Sequence, residues 1–326
     1  MPKLPRFLPI LTLISLPAAL AAADASLLRL VMPDAKVVAG VQVDRTRNSQ
    51  FGQFVLQHMQ LDDAGFQKFV EHTGFDPRRD VKEVLMASNW ESATPESRWL
   101  LMAKGVFDTP KLQQAAQTAG AAVSTFQGIS IYSYSSKSAP NANNAIAFLD
   151  SSSAIMGDLA SVQAAIGREQ SKAAPSSDLL SKAGGLSANN DFWFVTLVPL
   201  SEFASAIPNP NVSGAMQGNT LAAINQASGG IRFGDTVTIS AEAVTRSDKD
   251  AQALVDVVKF IVGMLQMNRQ SNATAGQVAS LLDGLDTKTS GNVMSLSLAI
   301  PEQQLEQILG QVGHPKPAGK KAVPQG

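Results

Sequence analysis

DTVTISAEAVTRSDKDAQALVDVVKFIVGMLQM, residues 235–267, combines the pattern of a strand, a tight turn and a long helix. Polar and apolar residues alternate in its first third, which is typical of a strand with one buried face. Ser247 stands at a helix N-cap position and Asp250 follows three residues later, as in an acidic form of the capping box. Apolar residues then recur at helical spacing: Ala251, Leu254, Val255, Val258, Ile261, Val262 and Leu265. The stretch therefore predicts a helix that covers a sheet.

A weaker copy of this pattern occurs at residues 98–120, where a strand precedes a helix with Asp108, Thr109 and Pro110 at its start. Each half of the chain opens on an apolar strand (residues 36–43 and 191–198) and closes on a helix (residues 159–166 and 302–312). This order predicts an α+β protein of two similar halves, each a mostly antiparallel or mixed sheet covered by helices. The alternative is one irregular domain whose halves resemble each other by chance.

The predicted domain boundaries follow changes in composition. A signal peptide is expected at residues 1–23, the first α+β half at 24–167 and the second at 188–312. A linker is expected between them at 168–187, because this segment contains SKAAPSSD and a Gly-Gly pair. Residues 313–326 are rich in Pro and Lys and predict a disordered tail.

The N-terminus has the three parts of a secretory signal. Lys3 and Arg6 precede an apolar run, and Ala19-Leu20-Ala21 and Ala21-Ala22-Ala23 both fit the small-x-small cleavage rule. The alternative is a retained membrane anchor, but the run is shorter than the roughly 20 residues of a membrane span. We predict cleavage near Ala21 or Ala23, which moves the net charge from −1 to −3 and leaves a periplasmic or secreted product.

Composition excludes several classes of function. The 326 residues include no cysteine, so disulfide frameworks, thiol nucleophiles and cysteine-based metal sites are excluded. A formal net charge of −1 gives no reason to expect nucleic-acid binding. Hydrophobic residues make up 44% of the chain, which is enough for a substantial core.

A search for chemistry finds no phosphate-binding loop, dinucleotide fingerprint, zinc-protease motif or hydrolase nucleophile elbow. His58 and His72 fall inside predicted helices and His314 in the tail, so none is placed as the base of a serine hydrolase. We therefore predict no catalytic, cofactor-binding or metal-binding residues.

Three clusters admit a functional and a structural interpretation. A metal site is conceivable at Asp62, Asp63, Glu71 and His72, but the two aspartates better fit a helix start, where the helix dipole favours carboxylates. The charged turn at Asp76, Arg78, Arg79 and Asp80 predicts an exposed ion-pair cluster. A strand would turn Trp193 to the face opposite Phe192 and Phe194, which favours sheet packing over a ligand platform.

Two segments resemble uncharacterised exported bacterial proteins of unknown function. They are LVMPDAKVVAGVQVD, residues 30–44, and FDPRRDVKEVLMAS, residues 75–88. The likeness covers the first third of the mature chain and implies a repeated α+β unit and export. It carries no catalytic motif and implies no activity.

These observations predict an exported, non-enzymatic protein that works as a binding or structural module of the cell envelope or exterior. Lys316, Lys320 and Lys321 would permit weak contact with an anionic envelope surface, since each basic residue near such a membrane contributes about 1 kcal/mol. Two alternatives remain open: a carboxylate-based hydrolase without a recognisable motif, and a carrier of an apolar ligand.

Overall fold

A twelve-stranded sheet organises the protein, as a computed structural model shows. The structure describes residues 23–58, 64–90, 98–136, 139–172, 177–199, 202, 222–267 and 273–312. All strand pairs of this sheet are antiparallel. The predicted α+β class is confirmed.

The strands follow one another across the sheet in the order β11-β12-β10-β9-β8-β1-β2-β3-β7-β6-β5-β4. Their bounds are β1 (Val37–Gln42), β2 (Val81–Ser88), β3 (Trp99–Gly105), β4 (Ala122–Phe126), β5 (Ile129–Ser136), β6 (Ala139–Asp150), β7 (Ser153–Asp158), β8 (Phe192–Thr196), β9 (Ile224–Arg232), β10 (Thr236–Thr245), β11 (Asp286–Ser290) and β12 (Val293–Pro301).

The helices lie between these strands and at the ends of the described chain. Their bounds are α1 (Ala25–Leu30), α2 (Val43–Asn48), α3 (Gln50–His58), α4 (Ala64–Thr73), α5 (Pro77–Asp80), α6 (Thr109–Thr118), α7 (Leu159–Ser171), α8 (Asp178–Asn189), α9 (Asp248–Met267), α10 (Ala273–Leu281) and α11 (Glu302–Val312). A short 3₁₀ helix, Leu282–Gly284, follows α10.

The strand, turn and helix predicted from residues 235–267 form β10 and α9. Ser247 Oγ accepts a hydrogen bond from the Asp250 N–H at 3.2 Å and donates to the Asp250 carboxylate at 2.9 Å. The predicted capping box is therefore confirmed. Only the first half of α9 buries side chains fully, at Ala251, Leu254 and Val255, which pack against β9, β10 and β12.

Helices cover both faces of the sheet because the side chains of each strand alternate between the faces. On one face α1, α7 and α8 cover a core that includes Leu85, Leu100 and the fully buried Trp193. On the other face α6 contributes Leu112 to a smaller cluster, and α9 packs beside Phe194.

The two edges of the sheet differ in composition. β4 reads AVSTF and is almost fully exposed, whereas β11 reads DTKTS and bears an ion pair between Lys288 Nζ and Asp286 Oδ2 at 2.6 Å. Neither strand was predicted, because neither shows an apolar alternation.

The predicted sheets of the two halves are in fact one sheet, since β1 pairs with both β2 and β8. Helices α7 and α8 occupy most of residues 168–187, the segment predicted as a linker. Ser177 of this segment is the N-cap of α8, since its Oγ accepts a hydrogen bond from the Leu180 N–H at 3.2 Å.

Strands β5 and β6 extend through residues 135–136 and 139–144, where their backbones pair although the sequence shows no apolar alternation. Ala222 is helical, and β9 begins two residues later at Ile224, where it pairs with β8 and β10. Among the described residues, no helix is both long enough and apolar enough to cross a membrane.

Candidate functional site

An open recess with several charged side chains lies at one end of the central strands and is called the Glu83 pocket here. It is open to solvent, has a volume of about 650 Å³, and is bounded by the start of β2 and the ends of β1 and β3. Its lining residues are Ala23, Asp24, Ala25, Gln42, Asp44, Arg45, Lys82, Glu83, Lys104, Gly105 and Ser152.

Glu83 is the buried acid of this pocket, with 6% of its surface exposed. It occupies an inward position of β2, where its neighbours on the same face are Val81 and Leu85. Its carboxylate oxygens accept hydrogen bonds from the Asp24 N–H at 3.3 and 3.1 Å. Burial raises the pKa of Glu83, while the hydrogen bond from the Asp24 amide and another from Gln42 act in the opposite direction.

Asp24 is the N-cap of α1, because its Oδ1 accepts a hydrogen bond from the Ser26 N–H at 2.7 Å. Burial acts to raise the pKa of Asp24, but the hydrogen bonds from Ser26 and the charges of Lys104 and Arg29 outweigh it and lower the pKa. Lys104 Nζ lies 3.8 Å from Asp24 Oδ2 and donates to Ser153 Oγ at 2.8 Å. Asp24 and Glu83 thus share a pocket with pKa values shifted in opposite directions.

Arg45, on α2, joins the pocket to the second part of the chain. Its Nε lies 3.0 Å from Asp191 Oδ1, and its Nη2 donates to the Ser187 carbonyl at 3.0 Å and to the Asn190 carbonyl at 2.5 Å. These carbonyls belong to the C-terminal end of α8, where the helix dipole favours a cation. The guanidinium of Arg45 therefore holds α2 against α8.

The arrangement has the groups that acid–base chemistry needs, but most are engaged in holding elements together. Glu83 fixes the start of α1, Arg45 fixes the end of α8, and Lys104 is bonded to the β6–β7 turn through Ser153. Carboxylates whose surroundings separate their pKa values are also a mark of acid–base sites. Both interpretations rest on the same geometry.

The charged turn is an ion-pair cluster, as predicted, but only Arg79 is exposed, whereas Asp76, Arg78 and Asp80 are half-buried. Asp76 caps α5 through the Arg78 N–H at 2.9 Å, and its carboxylate pairs with the Arg78 guanidinium at 2.7 Å. Arg79 pairs with Asp80 at 2.7 Å. The hydrogen bond from the Arg78 side chain, more than any other cause, lowers the pKa of Asp76.

The structure gives His72 a structural contact, since its Nδ1 lies 2.8 Å from the Lys68 carbonyl one turn earlier in α4. Within the described ranges no three histidine or carboxylate side chains form a group suited to hold a metal ion. Asp62, Asp63, the side chain of His58, and His314 lie outside the described residues.

The aromatic triplet of β8 lies as predicted. Trp193 is fully buried among the helices of one face, whereas Phe192 and Phe194 point to the other face and are half-buried. The Trp193 ring lies against Gly40 of β1, which is its partner in the sheet. These aromatic residues are therefore part of the core.

An apolar surface lies on the second half of α9. Phe260 is 60% exposed and Met267 is 80% exposed, and together with Gly263, Met264 and Gln266 they line an open groove of about 490 Å³. The apolar stripe of α9 is thus divided. Part of it contacts α10, and part faces solvent.

The sequence search did not find the Glu83 pocket. Its residues come from positions as distant as Asp24, Lys104 and Ser152, which only the fold brings together. One local signal was present: Glu83 interrupts an otherwise apolar inward series of Val81, Leu85 and Ala87. An acid at such a position must be buried with partners or be functional.

Comparison with known proteins finds likeness only among solved structures. No protein-family model and no curated protein matches the chain. Crystal form III of TP0453 superposes with a TM-score of 0.52 at 11% identity, covering 87% of this chain and 97% of that chain. Crystal forms I and IV give TM-scores of 0.47 and 0.48 at 10% identity, covering 87% and 86% of this chain and 96% and 95% of those chains. The chain is therefore similar in fold to crystal form III of TP0453, and this likeness shows the fold alone.

Proposed function

We propose that the protein is an exported, non-enzymatic module of the bacterial cell envelope or exterior, which works by binding or as a structural part. The signal pattern at residues 1–23 supports export. The observation that carries the non-enzymatic assignment is the engagement of the charged groups of the Glu83 pocket. A catalytic acid or base must be within reach of a substrate, whereas Glu83 is buried beneath the start of α1.

The apolar half of α9 supports a role in binding. Large exposed apolar side chains grouped on one helix are uncommon on proteins that act alone, and they often mark contact surfaces. Phe260 and Met267 supply such a group. The additional weak contact predicted for Lys316, Lys320 and Lys321 lies outside the described residues and stays a prediction.

Two measurements test this function. The full chain, expressed in a Gram-negative host, is expected in the periplasmic fraction or the medium; retention in the cytoplasm would contradict export. A broad screen of hydrolase substrates is expected to show no turnover that depends on Glu83. Turnover that disappears in a folded Glu83→Gln variant, but persists in Asp256→Asn on the surface of α9, would contradict the non-enzymatic assignment.

One observation favours the hydrolase alternative. In the Glu83 pocket, the raised pKa of Glu83 suits a proton donor, and the lowered pKa of Asp24 suits a carboxylate that stays ionised. On this alternative, a small polar substrate would enter between α1 and the end of β3. The same screen with Glu83→Gln decides between the two functions.

The packing between the sheet and α8 argues against the apolar-carrier alternative. A Cβ added at Gly40 would lie 2.5 Å from the Trp193 ring, so the space there is already filled. A carrier would need an enclosed apolar cavity between sheet and helices.

We infer that the two halves of the chain repeat one unit, as the sequence pattern predicts. The strand order supports this inference: moving outward from the β1–β8 pair, the sheet runs β1-β2-β3-β7 on one side and β8-β9-β10-β12 on the other. On each side a helix, α6 or α9, follows the third strand of its half. The last strand of each half, β7 or β12, follows a hairpin turn and pairs with the third strand of that half, β3 or β10.

A further inference from the structure

Ala23 belongs to the folded core although it lies at the end of the predicted signal peptide. Only 6% of its surface is exposed, and its methyl group packs in the same cluster as Leu27 of α1 and Ala183 of α8. Its N–H donates a hydrogen bond to Ser187 Oγ at 2.8 Å. Ser187 is itself fully buried and donates onward to the Gly184 carbonyl at 2.8 Å.

The next residue is also held through its peptide N–H. The amide of Asp24 donates to both carboxylate oxygens of Glu83, and its side chain starts α1 by accepting from Ser26. Two consecutive backbone amides thus meet buried acceptors on α8 and β2. In the folded structure, Ala23 and Asp24 therefore both donate hydrogen bonds through their peptide N–H groups.

The two cleavage motifs leave different products. Cleavage after Ala23 removes the methyl group and the donor to Ser187, and it places a charged ammonium at Asp24 beside the buried Glu83. Bringing an ammonium and a carboxylate together there would require both to lose their water. Cleavage after Ala21 leaves Ala22 as the first residue and preserves both peptide amides. The ammonium then belongs to Ala22, and the N–H that Asp24 donates to Glu83 stays a neutral peptide amide.

We propose that the signal peptide is removed between Ala21 and Ala22, so that the mature protein begins Ala22-Ala23-Asp24 and the second alanine anchors the N-terminus against α8. This inference rests on the proposed export. Both cleavage motifs fit the small-x-small rule equally well. The Ala23–Ser187 hydrogen bond distinguishes them, because only the product that begins at Ala22 retains it.

Intact-mass measurement and N-terminal sequencing of the full chain, expressed with its own signal in a Gram-negative host, test the cleavage position. A mature chain that begins at Ala22 supports the inference. A chain that begins at Asp24 overturns it while leaving export intact. A cytoplasmic chain that still begins at Met1 overturns both export and the cleavage.

A stability comparison tests the anchor independently. Two chains, released from a cleavable fusion so that they begin at Ala22 or at Asp24, are each made with and without Ser187→Ala. The Asp24 chain is expected to have the lower Tm, with a shift of about 2–4 °C or less for each 1 kcal/mol of stability lost. Ser187→Ala is expected to lower the Tm further in the Ala22 chain than in the Asp24 chain. Equal shifts in the two chains would show that Ala23 does not use Ser187, and would overturn the proposed anchor.

Discussion

At the scale of single residues, Gly40 shows how closely the centre of the sheet is packed. A Cβ at this position would lie 2.5 Å from Cζ2 of the fully buried Trp193. We expect Gly40→Ala to lower the free energy of unfolding by about 1–3 kcal/mol, because the added methyl group would overlap the buried indole and force it to shift. Urea denaturation followed by tryptophan fluorescence measures the loss.

Gly184 is a matched control for Gly40. It lies inside α8, and no atom is within 4 Å of a Cβ added there. Gly184→Ala is expected to raise the free energy of unfolding by about 0.5–1 kcal/mol, because alanine loses less backbone freedom than glycine when a helix forms. A destabilised Gly184→Ala variant, or an unchanged Gly40→Ala variant, would contradict this account of the packing.

Glu83 predicts a pH dependence of stability. Since burial raises its pKa in the folded state above the ordinary value of 4.5, the folded protein holds this proton more tightly than the unfolded chain does. The contribution of Glu83 to stability is therefore full below pH 4.5 and falls as the pH rises towards neutrality.

The variant Glu83→Gln has no proton to lose and keeps an oxygen that accepts from the Asp24 amide. We expect its free energy of unfolding, relative to that of the wild type, to increase between pH 4 and pH 7. Urea denaturation at several pH values measures this difference. A difference that stays constant, or that declines with pH, would be inconsistent with a raised pKa.

At the scale of elements, Asp158 joins a helix start to a strand. Its Oδ1 accepts from the Ser161 N–H at 2.8 Å as the N-cap of α7, and its Oδ2 accepts from the Trp99 N–H of β3 at 3.1 Å. Asp158→Ala is expected to lower the free energy of unfolding by about 1–2 kcal/mol, through loss of the cap and of the acceptor for Trp99.

Asp158→Asn separates hydrogen bonding from charge at this position. Asparagine is also a good N-cap but has only one oxygen acceptor, so we expect it to recover the cap of α7 and not the hydrogen bond from the Trp99 N–H. Its loss, measured by thermal denaturation, is therefore expected to lie between zero and that of Asp158→Ala, and equal losses in the two variants would mean that the hydrogen bond to the Ser161 N–H contributes nothing to stability.

The elements that local chemistry specifies were the ones predicted correctly. The β10–α9 unit could be read from its alternation and from Ser247 and Asp250, because both signals lie within a few residues. Strands β4 and β11 were missed because their stability comes from pairing with β5 and β12 and not from apolar side chains. The Glu83 pocket was missed for a related reason: its central hydrogen bond joins Asp24 to Glu83, which are far apart in the sequence.

At the scale of the whole molecule, the pairing of β1 with β8 makes the sheet continuous. The main core contains Leu85 and Leu100 from one part of the chain and Leu179 and Trp193 from the other. Arg45 adds an ion pair across the same junction. The segment predicted as a linker, residues 168–187, therefore consists mostly of parts of α7 and α8, two helices that share one core.

This shared core predicts one cooperative unfolding transition for the intact protein. A scanning calorimeter is expected to record a single peak whose calorimetric and van't Hoff enthalpies agree. If the two predicted domains were energetically independent, two peaks would be resolved instead. That outcome would favour the domain division predicted from the sequence.

The two edge strands of the sheet differ in how readily they would pair with a strand of another molecule. A sheet edge presents unpaired N–H and C=O groups that can accept a strand from another molecule, and charged side chains oppose such pairing. At β11, Asp286 and Lys288 provide that opposition, whereas β4 has only Ala, Val, Ser, Thr and Phe. Charged side chains thus oppose strand addition at the β11 edge and not at the β4 edge. Aggregation by strand addition would therefore begin at β4.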